Sequence, residues 1–146
     1  MKTKIHKIII LILSFVIFAC STIKRENVSF KLERQKLLSK EIEMQLPVPF
    51  RIQKDNYEEG VIYFYSFVDS AYIIVFQGAM VEFSIDRYQV QTTEVKNQRK
   101  ISIGIENNKF WRKDVLDGIR IYYDNVSAKN KGIYDKILDE IKITSL

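Results

Sequence analysis

The stretch GVIYFYSFVDSAYIIVFQG, residues Gly60–Gly78, decides the fold. Val61–Val68 and Ala71–Phe76 are β-branched and aromatic runs on either side of Asp69-Ser70, a pattern that predicts a hairpin with a two-residue connection. Both faces of each run are apolar, and a sheet that is apolar on both faces must be covered on both. We therefore expect these runs to be central strands of a covered sheet.

Five further runs on either side of this hairpin predict strands, because β-branched and aromatic residues alternate or cluster in them. Lys96–Arg99 and Asp117-Gly118 connect four of these runs as two more hairpins, and Asp-Gly tolerates the positive φ angles that such turns require. The runs are Glu41–Leu46, Tyr88–Val95, Lys100–Ile105, Phe110–Leu116 and Ile119–Val126.

Two segments predict helices at the ends of the domain. Ile133, Ile137, Leu138 and Ile141 share one helical stripe, which indicates an amphipathic C-terminal helix. The mixture of apolar and polar residues over 28–39 predicts a short N-terminal helix.

The predicted fold class is α+β: a mostly antiparallel sheet of about six to seven strands with both helices packed on it, in a single domain over residues 30–146. The order of elements distantly resembles the Mog1/PsbP-like sandwiches, some of which are bacterial lipoproteins. That resemblance implies an architecture and carries no function.

The first nineteen residues have the pattern of a secretory signal peptide. Three lysines and no acid precede Ile8–Ala19, a run in which only Ser14 is not hydrophobic. Twelve residues of helix would span ~18 Å, which is too short to cross a bilayer. We expect residues 1–19 to be removed by cleavage between Ala19 and Cys20.

The residues Ile17-Phe18-Ala19-Cys20 resemble the lipobox of bacterial lipoproteins, with Phe18 larger than the residue usual at its position. The resemblance implies a diacylglyceryl thioether on Cys20 and an acylated, for example palmitoylated, amino terminus. It also implies an outer-membrane location in the cell envelope, because Ser21 stands where the family's inner-membrane retention signal has Asp. Residues 20–29 would then form a short tether.

Composition excludes several classes of function. Three of the 23 basic residues leave with the leader, so 20 remain against 18 acidic residues, a net charge of +2 that indicates no nucleic-acid partner. The only histidine, His6, would be removed with the leader, and the thiol of the only cysteine, Cys20, would be blocked by the lipid. Histidine- or cysteine-dependent nucleophilic sites and the zinc, copper and haem sites that need these ligands are therefore excluded. No cofactor and no metal is predicted.

Aromatic residues concentrate between residues 57 and 88. Aromatic rings favour strands, so strand packing explains them. The alternative is a sugar- or lipid-binding face, since aromatic rings supply rigid, amphipathic contact area. The candidate ligand-facing residues are Tyr57, Tyr63, Tyr65, Tyr72 and Tyr88.

Three smaller features complete the candidate sites. Asp69-Ser70-Ala71 resembles the acceptor for bacterial O-glycosylation, with Ser70 as the modified residue. Glu41 and Glu43 share one strand face, as a carboxylate pair for glycoside hydrolysis would, and equally as the solvent side of an edge strand would. Lys96, Arg99 and Lys100 form a basic hairpin tip that suits either solvent or anionic head groups.

These observations favour a non-enzymatic, membrane-anchored envelope lipoprotein that binds or helps to assemble another envelope protein, lipid or glycan. The alternative is a carrier of a lipid, glycan or small apolar ligand. A carboxylate-based hydrolase ranks third.

Overall fold

The computed structural model describes residues 28–79 and 81–146. The predicted leader, its cleavage site at Ala19 and Cys20, and most of the 20–29 tether lie outside this range. The described strands are β1 (Phe30–Lys36), β2 (Lys40–Pro47), β3 (Phe50–Tyr57), β4 (Gly60–Phe67), β5 (Tyr72–Gly78), β6 (Thr92–Lys96), β7 (Arg99–Glu106), β8 (Lys109–Leu116), β9 (Ile119–Val126) and β10 (Lys142–Ser145); helix α1 spans Lys131–Asp139 and a 3-10 helix spans Ser84–Arg87.

The strands form two antiparallel sheets. The larger has the order β3-β4-β5-β9-β8-β7-β6, and the smaller has the order β1-β2-β10. The α+β class, the antiparallel sheet and the C-terminal helix are thus confirmed. The smaller sheet was not predicted. Its strands bring the number of strands in the described residues above the six to seven expected.

The predicted N-terminal helix over 28–39 is wrong, because this segment contains strand β1. Strand β1 pairs with β2 in continuous register from Phe30 opposite Pro47 to Lys36 opposite Glu41. Its inward-facing side chains include polar Glu33 and Gln35, so the strand is held mainly by its backbone ladder to β2. Pairing with β2, which follows directly in the chain, has overridden the local helical pattern of this segment.

The β4–β5 hairpin lies between two apolar clusters, as its two-faced pattern predicts. One face packs against β2, β9 and α1, with Tyr65, Ile73 and Val75 fully buried. The other face packs against residues 81–88, where Phe76 meets Phe83 edge-on at 5.7 Å between ring centroids. Burying one such side chain stabilises the fold by ~1.5–3 kcal/mol. The hairpin is therefore the centre of the core.

Three tight turns connect β6 to β7, β7 to β8 and β8 to β9. Both turn residues have positive φ in each case: 51° and 64° at Asn97-Gln98, 49° and 61° at Asn107-Asn108, and 50° and 77° at Asp117-Gly118. This backbone matches the right-handed twist of the flanking strands. The β4–β5 connection is longer than predicted, because Phe67 N–H donates to the carbonyl of Ala71 and Val68 falls outside the strand.

A buried cluster of charged side chains holds α1 against the larger sheet through salt bridges and hydrogen bonds. Arg112, 4% exposed, makes a two-point contact with Asp114 at 2.7 and 2.8 Å and also reaches Asp139 on α1 at 2.8 Å. Arg99 bonds the same Asp114 at 3.1 Å and the carbonyl of Leu138 at 2.5 Å. The buried charges are paired, as burial in an apolar interior requires.

The Gly104→Ala variant will lose about 1–3 kcal/mol of unfolding free energy, because overpacking a filled core forces its neighbours apart. A Cβ at Gly104 would lie 2.7 Å from both the Trp111 ring and the carbonyl oxygen of Gln89. Urea unfolding measures the loss.

Gly132→Ala is the matched control, since a Cβ there meets nothing within 4 Å and the site lies in α1. It should stabilise the protein by roughly 0.5–1 kcal/mol. Equal midpoints for the two variants would contradict the packing described at Gly104.

Candidate functional site

The strands of the larger sheet give the molecule two opposite ends. The Val68 end carries the β4–β5 connection, the β2–β3 connection, the β9–α1 connection and the start of β1. The Lys96 end carries the β3–β4, β6–β7 and β8–β9 turns. A strand of eight residues separates the two ends by ~26 Å.

The Val68 end contains a cleft of about 310 Å³ between α1, the start of β1 and two strand connections. The backbone N–H of Val48 donates to the carbonyl of Ser29 at 2.9 Å, which joins two of its walls. We call this the Val68 cleft; it is lined by Val28, Ser29, Pro47, Val48, Pro49, Phe67, Val68, Asp69, Asn130, Ile133 and Tyr134.

One side of the Val68 cleft carries a fixed carboxylate. Asp69 accepts hydrogen bonds from the Tyr134 hydroxyl at 3.0 and 3.2 Å, from Asn130 Nδ2 at 2.7 Å and from the backbone N–H of Ala71 at 3.2 Å. Burial, with the nearby charge of Asp69, raises the pKa of Tyr134, so its hydroxyl stays a donor. The cleft therefore combines apolar walls with one oriented acceptor group.

The rim of the Val68 cleft is apolar and exposed. Val68 is 81% exposed at the hairpin connection, Val28 is 39% exposed and Val48 is 37% exposed. These residues come from three separate segments and meet on one concave surface. Contiguous exposed apolar surface with polar neighbours is typical of an interaction site.

Three of the predicted ligand-facing tyrosines lie away from this cleft. Tyr63 and Tyr65 are 3% and 0% exposed and pack between the two sheets, where the Tyr63 hydroxyl donates to the carbonyl of Lys36 at 2.8 Å. The Tyr65 hydroxyl is buried with no hydrogen-bond partner among the described residues. Tyr57 is exposed on β3 at the Lys96 end. Tyr63 and Tyr65 are therefore core residues, and Tyr57 lies apart from them on the surface.

Tyr72 and Tyr88 converge on one buried carboxylate on the opposite face of the larger sheet. Both hydroxyls donate to Oδ2 of Asp124, which is 4% exposed, and Tyr72 stacks on Phe64 with ring centroids 5.2 Å apart. Burial and this carboxylate raise the pKa of both tyrosines. Because Tyr88 follows the 3-10 helix, the cluster fastens that covering segment to the sheet.

Ser70 lies on the exposed β4–β5 connection with a positive φ of 67°. Its carbonyl accepts a hydrogen bond from Asn125 Nδ2 at 2.8 Å, and it directly follows Asp69, which lines the cleft. The candidate O-glycosylation position thus lies beside the Val68 cleft.

The carboxylates Glu41 and Glu43 lie on the outer face of the smaller sheet. Glu43 pairs with Arg34 at 2.8 Å and with Lys142 at 3.2 Å. Hydrogen bonds from Arg34 and then Lys142 lower the pKa of Glu43, so this carboxyl is ionised near neutral pH.

The predicted basic tip at the β6–β7 turn is only partly exposed. Lys96 and Lys100 are exposed, whereas Arg99 turns inward to Asp114. The tip lies at the Lys96 end, opposite the Val68 cleft.

The described part of the chain, 28–79 and 81–146, lacks two features. No helix there is both long enough and apolar enough to span a bilayer. No group of three or more histidine, cysteine, aspartate or glutamate side chains there is placed to hold a metal ion.

Sequence reasoning missed the residues that build the Val68 cleft. Pro47 and Pro49 form one wall, and Asn130 and Tyr134 form the polar side with Asp69. The one available signal was that these are the only two prolines of the chain, since proline in β-proteins marks strand ends and connections. Nothing in the sequence relates that segment to residues 130–134.

Raising the pH into the alkaline range should unfold the protein and ionise its buried tyrosines in a single transition. Burial is the largest cause that raises the pKa of five of them above the usual ~10, namely Tyr65, Tyr72, Tyr122, Tyr123 and Tyr134. The folded state keeps these hydroxyls protonated, so their contribution to stability is complete below about pH 10 and declines as the pH rises above it.

Tyrosinate absorbance and far-ultraviolet circular dichroism, followed together against pH, check this. The absorbance of the five tyrosines should rise in the same pH interval in which the dichroism is lost, and Tyr134→Phe should reduce that rise by one residue. Gradual ionisation of all eight tyrosines with native dichroism would show that the rings are not held as described.

Comparison of the chain with known proteins finds no matching family model, no similar curated protein and no similar solved structure.

Proposed function

We propose that this protein is a lipid-anchored, non-enzymatic binding module of a bacterial cell envelope. Cys20 attaches it to a membrane, with the outer membrane favoured by Ser21, and the Val68 cleft binds another envelope component. The leader and the lipobox-like Ile17–Cys20 support the anchor.

The observation that carries the proposal is the position of the Val68 cleft beside Val28. Val28 lines the cleft and stands eight residues after Cys20 in the chain. Eight residues reach at most ~28 Å when fully extended. A domain held by so short a tether would present this cleft close to the membrane that carries the anchor.

The chemistry of the cleft suits binding. Small-molecule sites are mostly apolar concavities with a few placed polar groups, and here Phe67, Ile133 and the prolines accompany one oriented carboxylate, Asp69. A component that offers an apolar group and a hydrogen-bond donor fits this arrangement.

Two acids of the described residues, Glu43 and Asp86, favour binding over hydrolysis. A carboxylate-based hydrolase needs one carboxyl that is protonated near neutral pH. The pKa of Glu43 is lowered by its basic partners, and the pKa of Asp86 is also lowered, since hydrogen bonds from Lys113 and Phe83 N–H outweigh the effect of burial. Asp69 lines the cleft as a single acid.

A second candidate function is a carrier of a lipid, glycan or small apolar ligand. The volume of about 310 Å³ favours it, because ligand pockets begin at ~300 Å³. The two candidates differ in whether the bound component is a macromolecule or a small molecule.

The Cys20→Ala variant should leave the membrane fraction and appear in the soluble envelope fraction, because it lacks the residue to which lipid attaches. Cell fractionation followed by immunoblotting measures this, and the unfolding midpoint of the released domain should equal that of the parent.

Ser21→Asp is the matched control for this experiment. By the rule of the lipoprotein family it should stay membrane-bound and move to the inner membrane. A Cys20→Ala protein that still sediments with membranes would disprove the lipid anchor.

A photoreactive benzoylphenylalanine in place of Val48, on the rim of the cleft, should give one discrete adduct when cells are irradiated. The same residue in place of Val95, which is 73% exposed at the Lys96 end, should give none. Intact-mass analysis distinguishes a protein adduct from a small-molecule adduct and so separates the two candidate functions. Equal yields at the two positions would remove the cleft as the binding site.

A further inference from the structure

We infer that the Val68 end is a membrane-contacting surface: Val28, Val48 and Val68 lie against the lipid surface, and the cleft between them opens towards the bilayer. The inference rests on the lipid anchor of the proposed function and adds the orientation of the domain and the chemistry that faces its cleft.

The apolar rim has no role in the core of the protein. Val68 is 81% exposed at a position where hairpin connections usually carry polar residues. Its sequence neighbour Phe67 is buried in the core, whereas Val68 projects away from it. An exposed valine at such a tip gains nothing from folding, but it would gain from transfer out of water into lipid.

The rim is a single surface in spite of its separate origins. Val28 precedes β1, Val48 lies between β2 and β3, and Val68 follows β4, yet all three line one concavity. Pro49, Phe67 and Val68 also line a second, adjoining concavity, so the apolar surface continues around the hairpin tip. A lipid surface can contact such a broad, non-directional patch.

The charges around the rim suit anionic head groups. Exposed Arg51 lines the second concavity together with Val68. In the sequence between Cys20 and Val28, Lys24 and Arg25 are followed by one acid, Glu26. A basic residue close to an anionic bilayer surface is attracted to it. At the opposite end, the β3–β4 turn carries exposed Glu58 and Glu59, and the β6–β7 tip carries exposed Lys96 and Lys100.

The length of the tether favours contact at the Val68 end. Val28 can lie no more than ~28 Å from Cys20, and the strands of the larger sheet are themselves ~26 Å long. If the Lys96 end faced the bilayer, the tether would have to run the whole length of the domain fully extended. Contact at the Val68 end does not require this full extension.

The test uses the full-length lipidated protein reconstituted into vesicles of phosphatidylethanolamine and phosphatidylglycerol. A lipidated Cys20 has no free thiol, so a single introduced cysteine is the only labelling site. Val68→Cys and Leu38→Cys each receive an environment-sensitive fluorophore. Leu38 is the matched control, because it is an exposed apolar residue, 57% exposed, on the β1–β2 connection at the Lys96 end.

Nitroxide-bearing lipids should quench the label at position 68 several-fold more than the label at position 38, and aqueous iodide should show the reverse order. Val48→Cys provides a second rim position and should behave as position 68 does. Iodide quenching that is equal at positions 68 and 38 would overturn the inference. A label at position 68 shielded from both quenchers would also overturn it, since a protein or a closed ligand would then cover the rim.

Two readouts separate failure of this inference from failure of the anchor. The parent protein should take up no thiol label, and vesicle flotation should recover it with the lipid. Labelling of the parent or loss of flotation would refute the lipid anchor itself. A protein that floats unlabelled, but whose rim is quenched from water, refutes only the membrane-contacting surface.

Discussion

The burial of both faces of the β4–β5 hairpin is the constraint on which the rest of the structure depends. Tyr65, Ile73 and Val75 require a cover on one side, which the smaller sheet and α1 supply. Ile74 and Phe76 require a cover on the other, which the segment around the 3-10 helix supplies. Because both covers converge on one hairpin, the segments that meet at its tip are held in fixed positions, and the Val68 cleft forms between them.

Polar clusters hold each cover in place and account for most of the buried charge. Arg112 and Asp114 fasten α1, while Asp86 accepts from Lys113 at 2.6 Å and from the Tyr122 hydroxyl at 3.1 Å beneath the opposite cover. Their buried charges are satisfied by several hydrogen bonds, which is the condition under which buried polar networks specify one arrangement. Their role is to position the covers. Val28, Val48 and Val68 at the Val68 end take no part in these clusters.

The hairpins, the closing helix and the antiparallel sheet could be predicted because their signals are local. Asp117-Gly118 between β-rich runs is such a signal, and its φ values of 50° and 77° have the predicted sign. Strand β3 lacks such a signal, since Lys54, Asp55 and Asn56 are exposed on a strand that, among the described strands, pairs with β4 alone. Of the candidate tyrosines, Tyr72 and Tyr88 do meet, but at Asp124, a residue that no spacing in the sequence connects to them.

The sequence by itself determined the apolar N-terminal run that ends at Cys20, the absence of histidine and of further cysteine after it, and the two-faced central hairpin. These features are compositions or short periodic patterns, which are complete within a few residues. Only the tertiary structure decided that residues 30–36 form a strand and that a cleft lies at the Val68 end. An edge strand exists because of the backbone it pairs with, and the cleft joins residues 28, 48, 68 and 130–134, whose proximity follows from packing and leaves no local pattern.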